Sequence, residues 1–459
     1  RSRILLTLVS VMFVFLVGPA FAGAATITWD GGGVGSDWET AGNWSGDVVP
    51  GAADDVVIDI AAIVLLNAST TINSLSLGSS TVPVASELVF NYDATLNDPL
   101  VIDDGDFVIE NLAVLSHRIG STVSVLGAID VDVQTGDFTL NSGATVDLDG
   151  LGYTSGGGST NGFGPGAGAG FSGGYPGSGG AYGGDGGDTS FNISIPGGNA
   201  YGSTTNPVQL GSSGGNAGSN ATGGEGGGLA LITVAGTTTI DGTVTANGTD
   251  GRVGGSSTRG GGGAGGGINI TTGGFEGVGV IRANGGTSPS NSRAGAGGSG
   301  GRIAIKYTTG STTNFTIQSY GGNAFGAGDF GAAGTIYVKT ASQTYGDLFV
   351  SNNNSVTDAA TPLMQDMTFD TITVASSSNF LVPTSTTLLY TTLDIGNGGI
   401  VTERGTINFP STFTIETGSR VNFDRARSFD NLTINGEVGH SPNYITQEYT
   451  MNLNITGDF

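Results

Sequence analysis

The sequence predicts an all-β fold, a parallel β-helix or β-solenoid with glycine-rich inserts and an N-terminal cap. Short runs such as Ile72–Leu77 alternate apolar and polar residues and are separated by Gly, Asn, Asp and Ser, the pattern of strands and turns. A glycine-rich middle repeats itself at spacings of 36 to 51 residues, which is typical of stacked repeats. No stretch beyond residue 22 has the periodicity of an amphipathic helix.

The first 22 residues have the features of a signal peptide. Arg1 and Arg3 precede the apolar stretch Ile4–Val17, and Ala20-Phe21-Ala22 fits the small-x-small cleavage pattern. The apolar stretch is shorter than the roughly 20 residues that span a bilayer. We therefore expect the chain from Gly23 onward to be exported, extracellular or at the cell surface, and to lack a membrane span.

Residues 23–145 are predicted to form the N-terminal cap and the first coils. This segment contains the three tryptophans of the chain, Trp29, Trp38 and Trp44. A terminal repeat needs an atypical cover, and buried aromatic rings provide one. The alternative is an exposed tryptophan platform that stacks on sugars.

The order of motifs in this segment resembles the mature N-terminus of bacterial surface proteins with β-helical, adhesin-like passengers. The shared motifs are Trp29-Asp30-Gly31-Gly32, Asn43-Trp44-Ser45, Pro50-Gly51 and Asp54-Asp55-Val56-Val57-Ile58. The families concerned are autotransporter passengers and haemagglutinin-like β-solenoids. The resemblance covers about 35 residues and implies a cap that starts the solenoid of a surface adhesin.

Residues 146–340 are predicted to be a glycine-rich repeat solenoid, since 62 of the 86 glycines lie between Gly150 and Gly334. One repeated element is a short apolar-x-small strand that ends in glycine, at Gly150, Gly197, Gly248, Gly285 and Gly321. The other is a glycine run that leads into alternating apolar residues beginning at Leu229, Ile268, Ile303 and Ile336. Glycine permits tight turns between stacked strands. The longer runs also suggest extended polyproline-like segments, a variant that resembles the glycine-rich sandwiches of phage tail-tip adhesins.

Residues 341–459 are expected to continue the solenoid as a Thr/Ser-rich part without glycine inserts. Phe369–Val374 returns as Phe429–Ile434, 60 residues later. The chain stops within this pattern, and we expect it to be a fragment of a longer protein.

Charge and composition exclude several classes of function. The 459 residues carry 38 acidic and 14 basic side chains, a formal net charge of −24. Nucleic acid and anionic membranes would be repelled, because binding to phosphate needs clustered Lys and Arg. With no cysteine and only His117 and His440, a Cys- or His-rich zinc site is also excluded.

Calcium is the one cofactor that the sequence suggests. Gly183–Phe191 nearly fits the calcium nonapeptide of RTX proteins, with Asp185 and Asp188 as ligands, although its large apolar residue comes one place late. Carboxylate and carbonyl oxygens suit this hard cation. The alternative is a plain glycine loop.

The densest acidic patch offers a second candidate calcium site. Asp103, Asp104 and Asp106 form it, with Asp93 and Asp98 upstream. The alternative is that these side chains cap the backbone of local turns.

Basic residues concentrate in the last glycine units. The two alternative interpretations are a ladder that binds an acidic glycan and scattered charges that keep the protein soluble. These residues are Arg252, Arg259, Arg282, Arg293, Arg302 and Lys306. Their spacing is irregular, which favours scattered charges.

The predicted function is a non-enzymatic structural or adhesive role. The protein would present a repetitive surface to extracellular polysaccharide, cell-surface glycan or copies of itself, with many weak contacts in register. The alternatives are a polysaccharide lyase or glycoside hydrolase on the same scaffold, and ice binding by threonine ladders at Thr237–Thr239 and Thr384–Thr387. No compact set of Asp, Arg and His is evident for catalysis, and the fold alone does not imply activity.

Overall fold

The computed structural model describes residues 25–91, 99–118, 127–158, 160–171, 175–189, 194–217, 221–254, 258–289, 295–326, 328–441 and 451–457. The predicted signal peptide, residues 1–22, lies outside them. Within the described residues the regular structure is almost entirely strand, and the helical content is a single 3₁₀ turn at Ala41–Asn43. Strand pairing is mostly parallel, which confirms the all-β prediction. No helix in the described part is long and apolar enough to cross a membrane.

The strands are numbered in chain order. From residue 25 to 147 they are β1 Thr26–Thr28, β2 Asp55–Ile58, β3 Ile63–Leu66, β4 Thr70–Ile72, β5 Ser74–Leu77, β6 Glu87–Phe90, β7 Leu100–Ile102, β8 Phe107–Ile109, β9 Val114–His117, β10 Ile129–Val133, β11 Phe138–Leu140 and β12 Thr145–Asp147. From 229 to 340 they are β13 Leu229–Ile240, β14 Thr243–Thr245, β15 Val253–Gly254, β16 Thr258–Arg259, β17 Gly267–Glu276, β18 Val280–Arg282, β19 Arg302–Gly310, β20 Thr316–Gln318 and β21 Thr335–Thr340. From 347 onward they are β22 Asp347–Ser351, β23 Thr361–Pro362, β24 Met367–Ala375, β25 Asn379–Val382, β26 Thr387–Ile395, β27 Ile400–Glu403, β28 Thr406–Ile407, β29 Thr412–Ile415, β30 Arg420–Phe423, β31 Arg427–Phe429, β32 Asn431–Ile434, β33 Glu437–Gly439 and β34 Leu453–Ile455.

Three sheets contain most of these strands. The first sheet runs β1-β2-β5-β8-β11-β13-β17-β19-β21-β22-β24-β26-β28, with β4-β7-β10 joining it at β13. The second sheet runs β3-β6-β9-β12-β14-β18-β20, and the third runs β23-β25-β27-β30-β33. Strands from successive passes of the chain lie next to each other in register, so equivalent residues of each pass stack into rows.

The first hydrophobic core lies between the first and second sheets. Alternate residues of each strand point inward, so that Ile232, Ile270, Ile305 and Val338 form one row across β13, β17, β19 and β21. Full burial of an aliphatic side chain stabilises the folded state by about 1.5–3 kcal/mol. These apolar rows hold the passes in a fixed register.

Three buried tryptophans close the N-terminal part of this core. Trp29, Trp38 and Trp44 are at most 2% exposed and belong to the first hydrophobic core. The rings of Trp29 and Trp38 lie 4.9 and 4.7 Å from that of Trp44, and the Trp44 indole N–H donates to the carbonyl of Trp38 at 2.6 Å. The rings therefore form a packed cap and are not accessible to sugars.

Glycine-rich segments project from the sheets between passes. After β14, β18 and β20 the chain leaves along 246–252, 283–289 and 319–323, and it returns along 259–266, 295–301 and 328–334 into β17, β19 and β21. After β12 the excursion is longer, from 148 to 228. Together the described parts of these segments form what we call the glycine bundle.

The backbone of the glycine bundle has a hydrogen-bond period of three. Along one return segment, successive N–H groups bond in turn to three different neighbouring segments. The N–H groups of Gly260, Gly263 and Gly266 donate to the carbonyls of Arg252, Thr249 and Ala246, respectively. Those of Gly261 and Ala264 donate to the carbonyls of Gly215 and Ser212. Those of Gly262 and Gly265 donate to the carbonyls of Ala296 and Ser299. Three residues per turn is the geometry of polyproline II, so the polyproline-like alternative describes this region better than simple glycine turns.

One predicted repeat element does not form a sheet strand. The described part of the element ending in Gly197 lies in the long excursion, where Ile195 makes an isolated antiparallel bridge to Thr189. Its local pattern is that of β14 and β18, but its described residues form no ladder with a strand of the three sheets.

The first sheet reverses direction at residues 340–347. β22 pairs with β21 antiparallel, with Tyr337 opposite Leu348, and later strands run parallel to β22. Val338 belongs to the first core, whereas Tyr337, on the opposite face of β21, belongs to a second core with Leu348 and Phe369. Residues beyond 347 therefore pack on the other face of the same sheet.

The packing of the glycine bundle predicts a sharp difference between two glycine substitutions. A Cβ on Gly263 would overlap the carbonyl oxygen of Glu225, whereas a Cβ on Gly157 would meet no atom within 4 Å. We expect Gly263→Ala to destabilise the protein by about 3 kcal/mol or more, because overpacking here displaces the backbone. Gly157→Ala is the matched control, and thermal unfolding is the measurement. Equal melting temperatures for the two variants would contradict the close packing of the bundle.

Candidate functional site

The outward face of the first sheet carries a row of small side chains on five successive strands. Val57, Ser76, Val108, Thr139 and Thr239 lie in register on successive strands, and all are half-buried. Neighbouring strands in a sheet are about 4.8 Å apart. The row therefore repeats short hydroxyl and methyl groups at that spacing.

The second sheet has an equivalent outward row. Val114, Thr145, Thr243, Val280 and Thr316 follow one another on β9, β12, β14, β18 and β20. Two surfaces of the same stack thus have the same kind of repeated chemistry.

Asp185 and Asp188, the first predicted calcium ligands, bind backbone amides. Asp185 Oδ1 accepts from the amide of Ala200 at 2.8 Å, and Asp188 Oδ1 accepts from the amide of Gly197 at 2.7 Å. Burial raises the pKa of Asp185 to about 6, the Ala200 amide opposes this rise, and Asp188 adds to it. Phe191, the apolar residue of the motif, lies outside the described residues.

Asp103, Asp104 and Asp106, the second predicted site, lie at the turn that joins β7 to β8 within one pass of the first sheet. Asp106 Oδ1 accepts from the amide of Asp137 at 2.9 Å, and Asp104 Oδ1 accepts from the Thr135 hydroxyl at 3.2 Å. Asp103 contributes its backbone carbonyl to the same hydroxyl. Asp93 and Asp98 lie outside the described residues.

No group of three or more Asp, Glu or His side chains in the described ranges could hold a metal ion. The predicted aspartates accept hydrogen bonds from neighbouring segments of the chain, between 9 and 31 residues away, and so do not simply cap their own turns. Calcium binding stays a prediction.

The basic residues of the glycine units lie on different elements. Arg252 pairs with Glu225 at 3.4 Å on an outgoing segment, Arg282 is on the second sheet, and Lys306 is on the first. Arg259 is on β16, and Arg293 lies outside the described residues. The described members of the set therefore form no ladder.

Arg302 is buried and anchors the long excursion to the first sheet. Its Nε donates to the carbonyl of Tyr201 at 2.9 Å, and its Nη1 donates to the hydroxyls of Thr204 and Thr335 at 3.1 Å. The ring of Tyr182 lies 5.6 Å from its Cζ atom. Burial lowers the pKa of Arg302 to about 10, so the guanidinium stays charged at neutral pH.

His117 is a second anchor, at the point where the long excursion returns. Its Nε2 accepts from the amide of Leu229 at 3.1 Å, which fixes the tautomer so that Nδ1–H donates to the carbonyl of Arg118 at 2.6 Å. Burial lowers the pKa of His117 to about 4. The imidazole is therefore neutral at neutral pH and has a structural role.

Sequence reasoning missed a cluster of charges at the ends of β27 and β30 in the third sheet. The buried carboxylate of Glu403 accepts from Arg427 Nε at 2.8 Å. The buried carboxylate of Asp424 accepts from Arg404 Nε at 3.3 Å and from the amide of Ser441 at 2.6 Å. A sequence signal existed, since an acidic residue followed by arginine occurs at 403–404 and again at 424–425. Because both carboxylates face guanidinium groups, the cluster stabilises the fold and leaves no free acid and base.

A shallow cleft of about 640 Å³ crosses successive turns before the third sheet. Ser377, Gly398 and Gly418 occupy equivalent positions in it, each with positive φ. Gly398 and Gly418 are linked by a backbone hydrogen bond of 2.7 Å.

Comparison of the chain with protein-family models, curated proteins and solved structures finds no match. The resemblance to β-helical adhesins therefore still depends on the N-terminal motifs alone and stays a prediction.

The two arginine–glutamate pairs of the C-terminal part should differ in their effect on stability. Arg427→Met leaves the buried Glu403 without its charge partner, so we expect a loss of about 3–5 kcal/mol. Arg420→Met removes the partner of an exposed Glu437 and should cost less than about 1 kcal/mol. Denaturant unfolding measures both, and Glu403→Gln added to Arg427→Met should restore part of the loss. Equal losses from the two arginine variants would show that the Glu403 pair is not special.

His117 should make stability depend on pH in the acid range. The pKa is lower in the folded chain, about 4, than the unfolded value of 6.5, so the unfolded state takes up the proton first as pH falls. The contribution of the neutral His117 to the free energy of unfolding is therefore fully present above about pH 6.5. It falls by about 3 kcal/mol as pH falls to about 4, at about 1.4 kcal/mol per pH unit. The measurement is the difference in unfolding free energy between the wild type and His117→Gln across this range. Asp185 has the opposite pH dependence, but it is common to both proteins and cancels.

His440→Gln, at an exposed position, is the matched control for the loss of one imidazole. A wild-type minus His117→Gln difference that stays constant with pH would contradict the buried neutral imidazole.

Proposed function

We propose that the protein is a non-enzymatic extracellular structural or adhesive protein. It presents a repetitive surface to extracellular polysaccharide, to cell-surface glycan or to copies of itself. The observation that supports this most directly is the pair of in-register outward rows on the first and second sheets.

The proposed architecture is a parallel β-helix with glycine-rich inserts and an N-terminal cap. It is supported by the way the chain visits the first and second sheets in turn, with parallel pairing between passes. At β21–β22 both the strand direction and the face that carries the core are reversed. When strand direction and core face are reversed together, the handedness of the winding does not change. Crossovers between parallel strands are right-handed in nearly all proteins.

Binding would depend on many weak contacts in register. Each hydroxyl on a row makes a modest hydrogen bond, and linked contacts raise the overall affinity by avidity. The net charge of −24 favours a neutral glycan, or an acidic one bridged by cations. The signal-peptide features and the N-terminal resemblance support an extracellular or surface location.

The test is a polysaccharide panel on the exported chain, with calcium and with chelator, that measures both retained protein and newly formed reducing or unsaturated ends. We expect retention without new ends. Two matched double variants compare the rows. One combines Thr139→Glu with Thr239→Glu on the first sheet, and the other combines Thr145→Glu with Thr243→Glu on the second sheet. Retention should fall in part for the row that contacts the ligand, because the unaltered rungs of that row still bind.

Three outcomes separate the alternatives. New ends would replace the proposal with a polysaccharide lyase or hydrolase. Retention that is lost in chelator would support the calcium hypothesis for Asp185, Asp188 and the Asp103–Asp106 patch. No retention on any polysaccharide would leave self-association, which sedimentation of the same sample would detect.

A further inference from the structure

The hydrogen-bond ladder of the first sheet is interrupted beyond β26. On one side β26 pairs with β24 from Leu388 to Ile395. On its other side only Thr387 and Leu388 pair with a strand, β28. The next strand of that pass, β29, pairs with β32 instead. Within 328–441, all of which the structure describes, no backbone hydrogen bond joins 391–395 to 412–415.

The interruption has a local cause in the segment 408–411. Pro410 has no N–H to donate to a ladder. Phe409, beside it, packs inward, with its ring centroid 4.9 Å from Phe413 and 5.4 Å from Phe423. The aromatic anchor and the missing donor together separate β29 from β26.

A cleft of about 400 Å³ lies between these two unpaired strand edges. Its lining differs with depth. Ile395 and Phe413, at the bottom, are each 8% exposed and belong to the second core. Thr392, Asp394 and Glu416, at the rim, are exposed.

The shape and chemistry of this cleft are those of a missing strand. Unpaired edges on both sides offer backbone donors and acceptors to an inserted chain. Because side chains alternate along a strand, an inserted segment would point every second residue at Ile395 and Phe413 and the others at the rim. Among the described residues that line the cleft, the charged ones are Asp394 and Glu416, so the rim favours basic side chains.

We propose that the cleft between β26 and β29 binds an extended segment of a partner protein in which apolar and basic residues alternate. The segment adds a strand between the two edges, and its backbone provides most of the hydrogen bonds. A second copy of this chain fits less well, because its 38 acidic and 14 basic residues give it the same charge as the rim. This site is separate from the outward rows and does not depend on glycan binding.

The experiment uses the full chain and a synthetic hexapeptide of alternating lysine and isoleucine. Titration calorimetry is done with this peptide and with a second one that is N-methylated at three alternate backbone positions. The two peptides have the same charge, so non-specific attraction to an acidic protein is equal for both. We expect the methylated peptide to bind at least about tenfold more weakly, since it lacks three donors worth about 1 kcal/mol each.

Charge reversal at the rim gives a second, independent comparison. Asp394→Lys with Glu416→Lys should weaken binding of the unmethylated peptide by about tenfold, whereas Glu276→Lys, an exposed carboxylate far along the first sheet, should leave it within about twofold. Hydrogen exchange of the amides of 391–395 and 412–415 should slow only when the unmethylated peptide is bound.

Several results would overturn the proposal. These are equal binding of the two peptides, no binding at millimolar concentration, or exchange protection that lies elsewhere in the chain. Dimerisation of the protein that the peptide displaces would instead assign the cleft to a second copy. Because the peptide comparison uses the unaltered protein, it stays decisive even if a charge-reversal variant fails to fold.

Discussion

Satisfaction of backbone hydrogen bonds by neighbouring passes is the constraint on which the whole structure depends. A buried N–H or C=O without a partner costs free energy, and the glycine runs have no side chains to serve as partners. In the sheets, strands of adjacent passes pair in parallel and leave every second side chain for the core. In the glycine bundle, the same need is met in three directions at a period of three residues. Glycine is required there because carbonyl oxygens of neighbouring segments occupy the space of a side chain.

The glycine bundle has few apolar side chains, so it depends on the sheets for its position. Arg302 and Tyr182 fix the long excursion against the first sheet, and His117 fixes the amide at its return. At the other edge, the backbone N–H of Asn284 donates to Asn247 Oδ1, and the backbone N–H of Tyr320 donates to Asn284 Oδ1, each at 2.8 Å. The bundle is thus tied to the sheets at several passes of the stack.

The acidic side chains of the predicted sites contribute mainly to this connectivity. Asp106 binds the amide of Asp137, and Asp137 in turn binds the amide of Thr237 at 2.6 Å. Each of these aspartates accepts a hydrogen bond from a backbone amide of the next pass. The aspartates that the sequence suggested as calcium ligands therefore also align the turns of neighbouring passes in this fold. The proposed functions therefore depend on the repeated outward rows and on the open cleft beside β29, and the charged clusters support them structurally.

The sequence alone determined the features that depend on local pattern. Period-two alternation in runs such as Ile268 and Ile270 identified strands and their inward face, and the glycine runs before them marked where each strand begins. The motifs around Trp29 and Trp44 indicated a buried cap. Only the tertiary structure decided the rest. Glycine segments have no side-chain pattern that indicates which segment lies next to them, so the period-three bundle was not predictable in detail. Ile195 has the sequence pattern of a sheet strand, but in the described residues it makes only an isolated bridge. The reversal at Tyr337 and the pairing of Glu403 with Arg427 depend on contacts between strands, which alternation along one strand cannot encode. The break beside Pro410 has a local cause, but its effect on the ladder is visible only when the neighbouring strands are in place.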